Sequence, residues 1–174
     1  MRLPFDGTLP QTQDWNDPRY RSLYAQFGLM GHNGEDYACP EGTRIVAPHG
    51  GKVIEALFDP TGYGHYVKLE DSVQGSVLAH LSTISVRVGD QLIEGNEIGF
   101  SGNTGFSTAP HLHWGYYRLP RNRLNGFLGY IDQSPDWINT YLPDKDVLQR
   151  ELSEVRNRLK IAEIKILNAK NALS

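Results

Sequence analysis

Between residues 43 and 117 the chain alternates apolar and polar positions in short runs, each closed by glycine, proline, asparagine or aspartate. Residues 43–47 and 51–57 read as strands around the turn Pro48-His49-Gly50, because strand side chains point to opposite faces in turn. The loop Asp59-Pro60-Thr61-Gly62-Tyr63-Gly64 follows, and residues 66–70 and 76–80 alternate on either side of a turn at 71–75. Residues 84–88 are strand-like, Val88-Gly89-Asp90 turns, 91–100 carry another short apolar pattern, and 111–117 close the series. Strands this short and this evenly spaced predict a mainly β protein, a small antiparallel sandwich or barrel-like domain.

Two regions break the pattern. Residues 1–30 scatter Phe5, Trp15, Tyr20, Tyr24 and Phe27 among polar residues, which predicts an irregular lead-in with one helical turn near 21–26. Those aromatics either pack or form a wall of a groove. Beyond residue 144 there is no glycine, proline or aromatic, and Leu148, Leu152, Val155, Leu159, Ala162, Ile166, Ala169 and Leu173 step by four and three. That is a heptad seam. A helix of about 28 residues is roughly 40 Å long, too long to bury easily on a small β domain. The expectation is a coiled coil over 144–174 that makes the chain a homo-oligomer through 148–173. The other reading is an amphipathic helix lying on its own domain. The β domain then occupies 1–143, with Trp137 and Tyr141 packing on the sheet near its end.

Composition narrows the class. Hydrophobic residues are 39% and charged residues 21% of 174, as in a soluble globular chain. Eighteen glycines and ten prolines fit a turn-rich β domain. A net charge of −3 gives no reason to expect nucleic acid as a partner. The single cysteine, Cys39, excludes an intrachain disulfide and reads as a packed thiol. The first residues, MRLPFDGTLPQTQDW, lack the apolar segment of a secretory signal, and no apolar run is long enough for a membrane span.

Chemistry gathers at two places. His111-Leu112-His113 lies on a strand-like run, so both imidazoles share one face while Leu112 faces the other. His32 and Asp36 flank Asn33-Gly34, and a turn or a helical turn would each let them converge. With His113 they form two imidazoles and one carboxylate, a common donor set for Zn²⁺. Three protein ligands leave a fourth position open, the mark of a catalytic site. His80, closing the run Leu78-Ala79-His80, can face that position.

At these residues the chain resembles the lysostaphin/LytM-type zinc endopeptidases. His32-Asn33-Gly34-Glu35-Asp36 is similar to their H-x-G-x-D signature, His111-Leu112-His113 to their H-x-H, and Ala79-His80-Leu81-Ser82 to their mid-domain histidine segment. Gly62-Tyr63-Gly64, Gly102-Asn103-Thr104-Gly105 and Ser107-Thr108-Ala109-Pro110 extend the likeness, which covers about 27–117. The resemblance implies one zinc held by His32, Asp36 and His113, with His80 and His111 as catalytic histidines. It implies a narrow substrate groove, with Gly102, Gly105, Ser107, Tyr63 and His65 as candidate wall or rim residues. His65 departs from the family's usual asparagine. The expected activity is hydrolysis of peptides in bacterial peptidoglycan, outside the cytoplasm, with a phage lysis or virion-borne enzyme as the expected setting. The alternative is a non-catalytic wall-binding or structural module that keeps zinc for its fold.

Overall fold

The computed structural model describes residues 1–133 together with Arg156 and Leu159. Apart from Leu159, the heptad seam lies outside the described residues, as does the expected packing of Trp137 and Tyr141. Nine antiparallel strands join one hydrogen-bonded sheet: β1 (Gln11–Gln13), β2 (Glu35–Tyr37), β3 (Arg44–Val46), β4 (Gly51–Asp59), β5 (Gly64–Glu70), β6 (Gln74–Ile84), β7 (Gln91–Leu92), β8 (Glu97–Ser101) and β9 (Leu112–Arg118). The main order is β1-β2-β9-β6-β5-β4-β7, and β8 bridges β6 and β3. In the lead-in a short helix, α1 (Arg21–Tyr24), continues into a 3₁₀ turn at Ala25–Phe27, within the expected helical turn near 21–26. Gly28 ends that turn in the left-handed region at φ 71°, a conformation that costs glycine least. Among the described residues no helix is long and apolar enough to cross a membrane.

Alternation sorts the long strands into two packed faces. Leu78 of β6 and Leu112 and Trp114 of β9 join Phe5, Tyr37, Cys39, Ile45, Val53, Val67, Leu69, Leu81 and Ile98 in one buried cluster. Val77, Ala79 and Tyr117 face the other way and pack with Tyr66 and Tyr130. Each fully buried aliphatic or aromatic side chain in such a core contributes about 1.5–3 kcal/mol. Cys39 is fully buried, as a packed thiol should be.

Three strand expectations change. Residues 85–88 are not a strand: β6 stops at Ile84, and the Asp90 carboxylate accepts from Arg87 N–H at 2.8 Å to close a turn instead. The 91–100 stretch divides into β7 and β8, because Asn96 Oδ1 accepts from Ile93 N–H and folds the chain between them. The polar stretches of β1 and β2 carry no strand pattern, and they are strands because β2 pairs with β9 and β1 with β2.

β6 is the element that positions the site. Its first half, through Ala79, pairs with β9, and its second half, from Leu81, pairs with β8. His80 stands at the change of partner, with φ 62° in the left-handed region. Opposite β5 the register slips at this point too, so the strand bulges. A bulge re-aims a side chain, and here it turns His80 out of the strand alternation.

Candidate active site

Asp36 and His113 are register partners across β2 and β9, so sheet pairing alone brings a carboxylate to an imidazole. His32 precedes β2 and reaches the same point from the lead-in side. Its Nε2 lies 2.9 Å from His113 Nδ1 and 3.2 Å from Asp36 Oδ1. His113 Nδ1 lies 2.9 Å from Asp36 Oδ1. All three residues are buried. Gly34 makes the approach possible, since a β-carbon there would sit 2.6 Å from Trp114 O and 2.7 Å from His113 Cε1.

The donor atoms fit a metal better than they fit one another. His32 Nδ1 lies 3.0 Å from the Asp14 carbonyl, which can only accept, so Nδ1 carries the proton and Nε2 a lone pair. That lone pair faces a carboxylate and a second imidazole nitrogen, and one proton cannot satisfy all three contacts. A tetrahedral ion with bonds of about 2.0–2.1 Å holds its ligand atoms about 3.3 Å apart, close to the 2.9–3.2 Å found here. On the other side of the His113 ring, Nε2 is buried with no hydrogen-bond partner. Among the described residues, His32, Asp36 and His113 are the group of three that could hold a metal ion.

Electrostatics tell the same story. Burial works against the Asp36 charge, but its contacts with His113 and His32 outweigh it and hold the carboxyl far below the usual range. Burial lowers the affinity of His113 for a second proton, against the pull of Asp36. The His113 imidazole is therefore suited to present a lone pair.

His80 and His111 stand beside this cluster, their rings 4.5 Å apart. His80 Nδ1 donates to the Thr104 carbonyl at 2.8 Å, and His111 Nδ1 donates to the Ala109 carbonyl at 2.8 Å. Each therefore offers Nε2 to the cavity in its neutral form, and His111 Nε2 lies 3.7 Å from Asp36 Oδ2. Burial pushes the His80 imidazole down to about 3, with further repulsion from His113 and His111. Thr104 also holds the bulge from both sides, its hydroxyl accepting from His65 N–H at 2.9 Å and donating to Leu81 O at 2.8 Å.

The cluster lies in a cavity of about 630 Å³. Tyr63 and Ser107 line it. Gly102, Gly105 and His65 are not among the lining residues. A β-carbon on Gly102 would meet Ser82 N at 2.5 Å and one on Gly105 would meet Gly64 N at 2.2 Å, so both glycines serve close packing behind the wall. His65 packs on Phe58, ring centroids 4.6 Å apart. The lead-in supplies much of the wall through Tyr20, Leu23, Tyr24 and Phe27. Tyr24 stacks on His32 at 5.2 Å, and Phe27 meets Phe106 edge-on at 5.1 Å. Of these, Leu23 and Phe106 were not singled out by the sequence.

A model of peptidase family M23 matches residues 30–126. The chain belongs to this family. Its M23 relatives include glycyl-glycine endopeptidase ALE-1 of Staphylococcus capitis, 42% identical over 106 residues, which are 60% of this chain and 28% of that protein. Peptidoglycan DD-endopeptidase ShyA of Vibrio cholerae is 37% identical over 114 residues, 66% of this chain and 26% of that protein. The chain thus spans under a third of the length of either M23 relative. Among solved structures, the catalytic domain of the antimicrobial peptidase lysostaphin from Staphylococcus simulans superposes with TM-score 0.60 at 28% identity, covering 74% of this chain and 91% of that one. A zinc-containing peptidase from Vibrio cholerae superposes with TM-score 0.63 at 29% identity, covering 75% and 38%.

Proposed function

We propose that the chain is a zinc-dependent endopeptidase that hydrolyses peptide cross-links or stem peptides of bacterial peptidoglycan. The observation that carries this reading is the convergence of His32 Nε2, Asp36 Oδ1 and His113 Nδ1 within 3.2 Å beside two histidines that offer Nε2 to one cavity. His32, Asp36 and His113 would hold the zinc. When bound, zinc supplies Lewis-acid activation of water and of the scissile carbonyl.

The remaining work falls to this chain's own side chains. His80, kept neutral by burial, accepts the proton of the attacking water at Nε2 and returns it to the leaving amine. His111 Nε2 faces the same space and, in the protonated form of the ring, can donate to the carbonyl oxygen as charge develops there. Their Nδ1–H bonds to backbone carbonyls fix both rings in these roles. Asp36 is committed to the cluster and does not serve as base.

Substrate class follows from the cavity wall and from the relatives. Apart from Asp36 and Asp59, the lining residues carry no acidic or basic side chain other than histidines. Such a wall suits an uncharged stretch of peptide. Relatives named as a glycyl-glycine endopeptidase and a peptidoglycan DD-endopeptidase support a wall peptide of that kind.

The test is release of new amino groups from purified peptidoglycan, with zinc content measured in parallel. His113→Ala is expected to lose both metal and activity, whereas His80→Ala keeps metal and loses about 10²–10⁴-fold in rate. Wild-type protein that carries zinc yet releases nothing across pH 6–9 would leave the non-catalytic module as the better reading.

A further inference from the structure

Of the three candidate ligands, His32 is the one that no strand pairing holds. Asp36 and His113 sit opposite each other in the β2–β9 ladder, but His32 lies in the loop before β2. On one side that loop is tied by Asn16 N–H to His32 O at 2.9 Å and by His32 Nδ1–H to Asp14 O at 3.0 Å. On the other side it is tied through the next residue, Asn33, whose buried side chain donates from Nδ2 to the Tyr63 hydroxyl at 2.9 Å.

Tyr63 is well placed to carry that tie. Its ring lies 5.5 Å from the His113 ring. It also packs against Tyr66 at 5.5 Å and Tyr130 at 6.5 Å. Its backbone carbonyl accepts from His80 N–H at 2.8 Å, at the bulge of β6. One residue therefore touches the His32 loop, the β9 ligand and the strand bearing His80. Burial raises the hydroxyl pKa well above tyrosine's ordinary value, so the group stays neutral.

We propose that Tyr63 is a positioning residue for the metal centre: through Asn33, its hydroxyl sets His32 Nε2 against Asp36 and His113. This rests on the reading of those three residues as zinc ligands. Tyr63→Phe isolates the hydroxyl, because the ring and its packing remain while the buried Asn33 amide loses its acceptor. The expected loss is that of one neutral hydrogen bond, a fall of about three- to ten-fold in zinc affinity.

Zinc affinity is measured by competition with a chelator, and ligand geometry by the visible absorption of the cobalt-loaded protein. Thermal unfolding of the metal-free protein reports stability separately. Tyr63→Phe is expected to weaken zinc and alter the cobalt bands. Asn33→Ala, made from the other end of the bond, should do the same, and the double variant should be no worse than the worse single variant. Should Tyr63→Phe fold poorly, Asn33→Ala with Tyr63 intact carries the same expectation. Zinc affinity and cobalt bands like wild type in Tyr63→Phe, or effects that multiply in the double variant, overturn the inference while leaving the metal centre intact. Wild-type protein that takes up neither zinc nor cobalt overturns the metal centre and this inference with it.

Discussion

At Gly34 the absence of a side chain decides whether His32, Asp36 and His113 can meet. A β-carbon there would press on Trp114 O at 2.6 Å and on the His113 ring at 2.7 Å. Trp114 O belongs to β9 backbone and cannot yield cheaply, so the ring or the loop must move. Gly34→Ala is expected to cost about 1–3 kcal/mol of stability from overpacking. It should also weaken zinc binding at least ten-fold, read by thermal unfolding and chelator competition on one preparation. Zinc binding at the wild-type level would show that the loop adapts. Neighbouring histidines divide their work by which nitrogen they give away. His32, His80 and His111 each spend Nδ1–H on a backbone carbonyl, while His113 presents Nδ1 to the cluster. The residue types were readable from the chain, but the nitrogen used was not, because distant carbonyls choose it.

β6 does for His80 what no local pattern could announce. By strand alternation His80 would share the side of Leu78, the face of the apolar core. The strand instead leaves β9 for β8 at that residue, and a left-handed backbone turns the imidazole into the cavity. Such a conformation in a non-glycine residue costs of order 1–3 kcal/mol and persists only when its surroundings enforce it. Thr104 is one enforcer, since its hydroxyl ties down both His65 N–H and Leu81 O while its carbonyl holds His80 Nδ1. Thr104→Val keeps the shape and removes both hydroxyl bonds. The expected result is about 1–3 kcal/mol lost in unfolding experiments and a lower kcat at unchanged zinc content. Unchanged kcat would mean that the carbonyl alone suffices. The lead-in shows the same dependence on tertiary pairing, since its aromatics serve both uses foreseen: Phe5 enters the core, while Tyr20, Tyr24 and Phe27 wall the cavity.

On the scale of the whole domain, a second buried histidine system ties β4's entry to β6 and β9. His49 Nδ1 donates to Gly50 O at 2.7 Å, and its Nε2 accepts from the Ser76 hydroxyl at 3.0 Å. Ser76 Oγ in turn accepts from Trp114 Nε1–H at 3.2 Å. Burial lowers the His49 pKa, against the nearby Asp71 carboxylate at 3.9 Å. The unfolded chain binds a proton here below about pH 6.5, whereas the folded chain resists it. Stability from this group is therefore full above that pH and declines as pH falls toward the lowered folded value, with a slope of at most about 1.4 kcal/mol per pH unit. His80 and His113, also lowered by burial, add to the decline in metal-free protein. Urea unfolding between pH 5 and 7.5 should show a shallower decline in His49→Gln than in wild type. Equal slopes would remove His49 from the account.

The amino-acid sequence by itself determined the antiparallel β class, most strand positions, the helical turn near residue 21 and the five residues that gather in the cavity. It could do so because alternation, turn residues and the spacing of His, Asp and Gly are local properties. Only the tertiary structure decided that the polar stretches Gln11–Gln13 and Glu35–Tyr37 are strands, that Gly102 and Gly105 pack behind the groove wall, and that His80 leaves its strand's alternation. Those outcomes depend on partners 20 to 80 residues away in the chain: β9 for β2, Ser82 and Gly64 for the glycines, β8 and Thr104 for His80. Pairing energy and close packing act through space, and no window of sequence contains them.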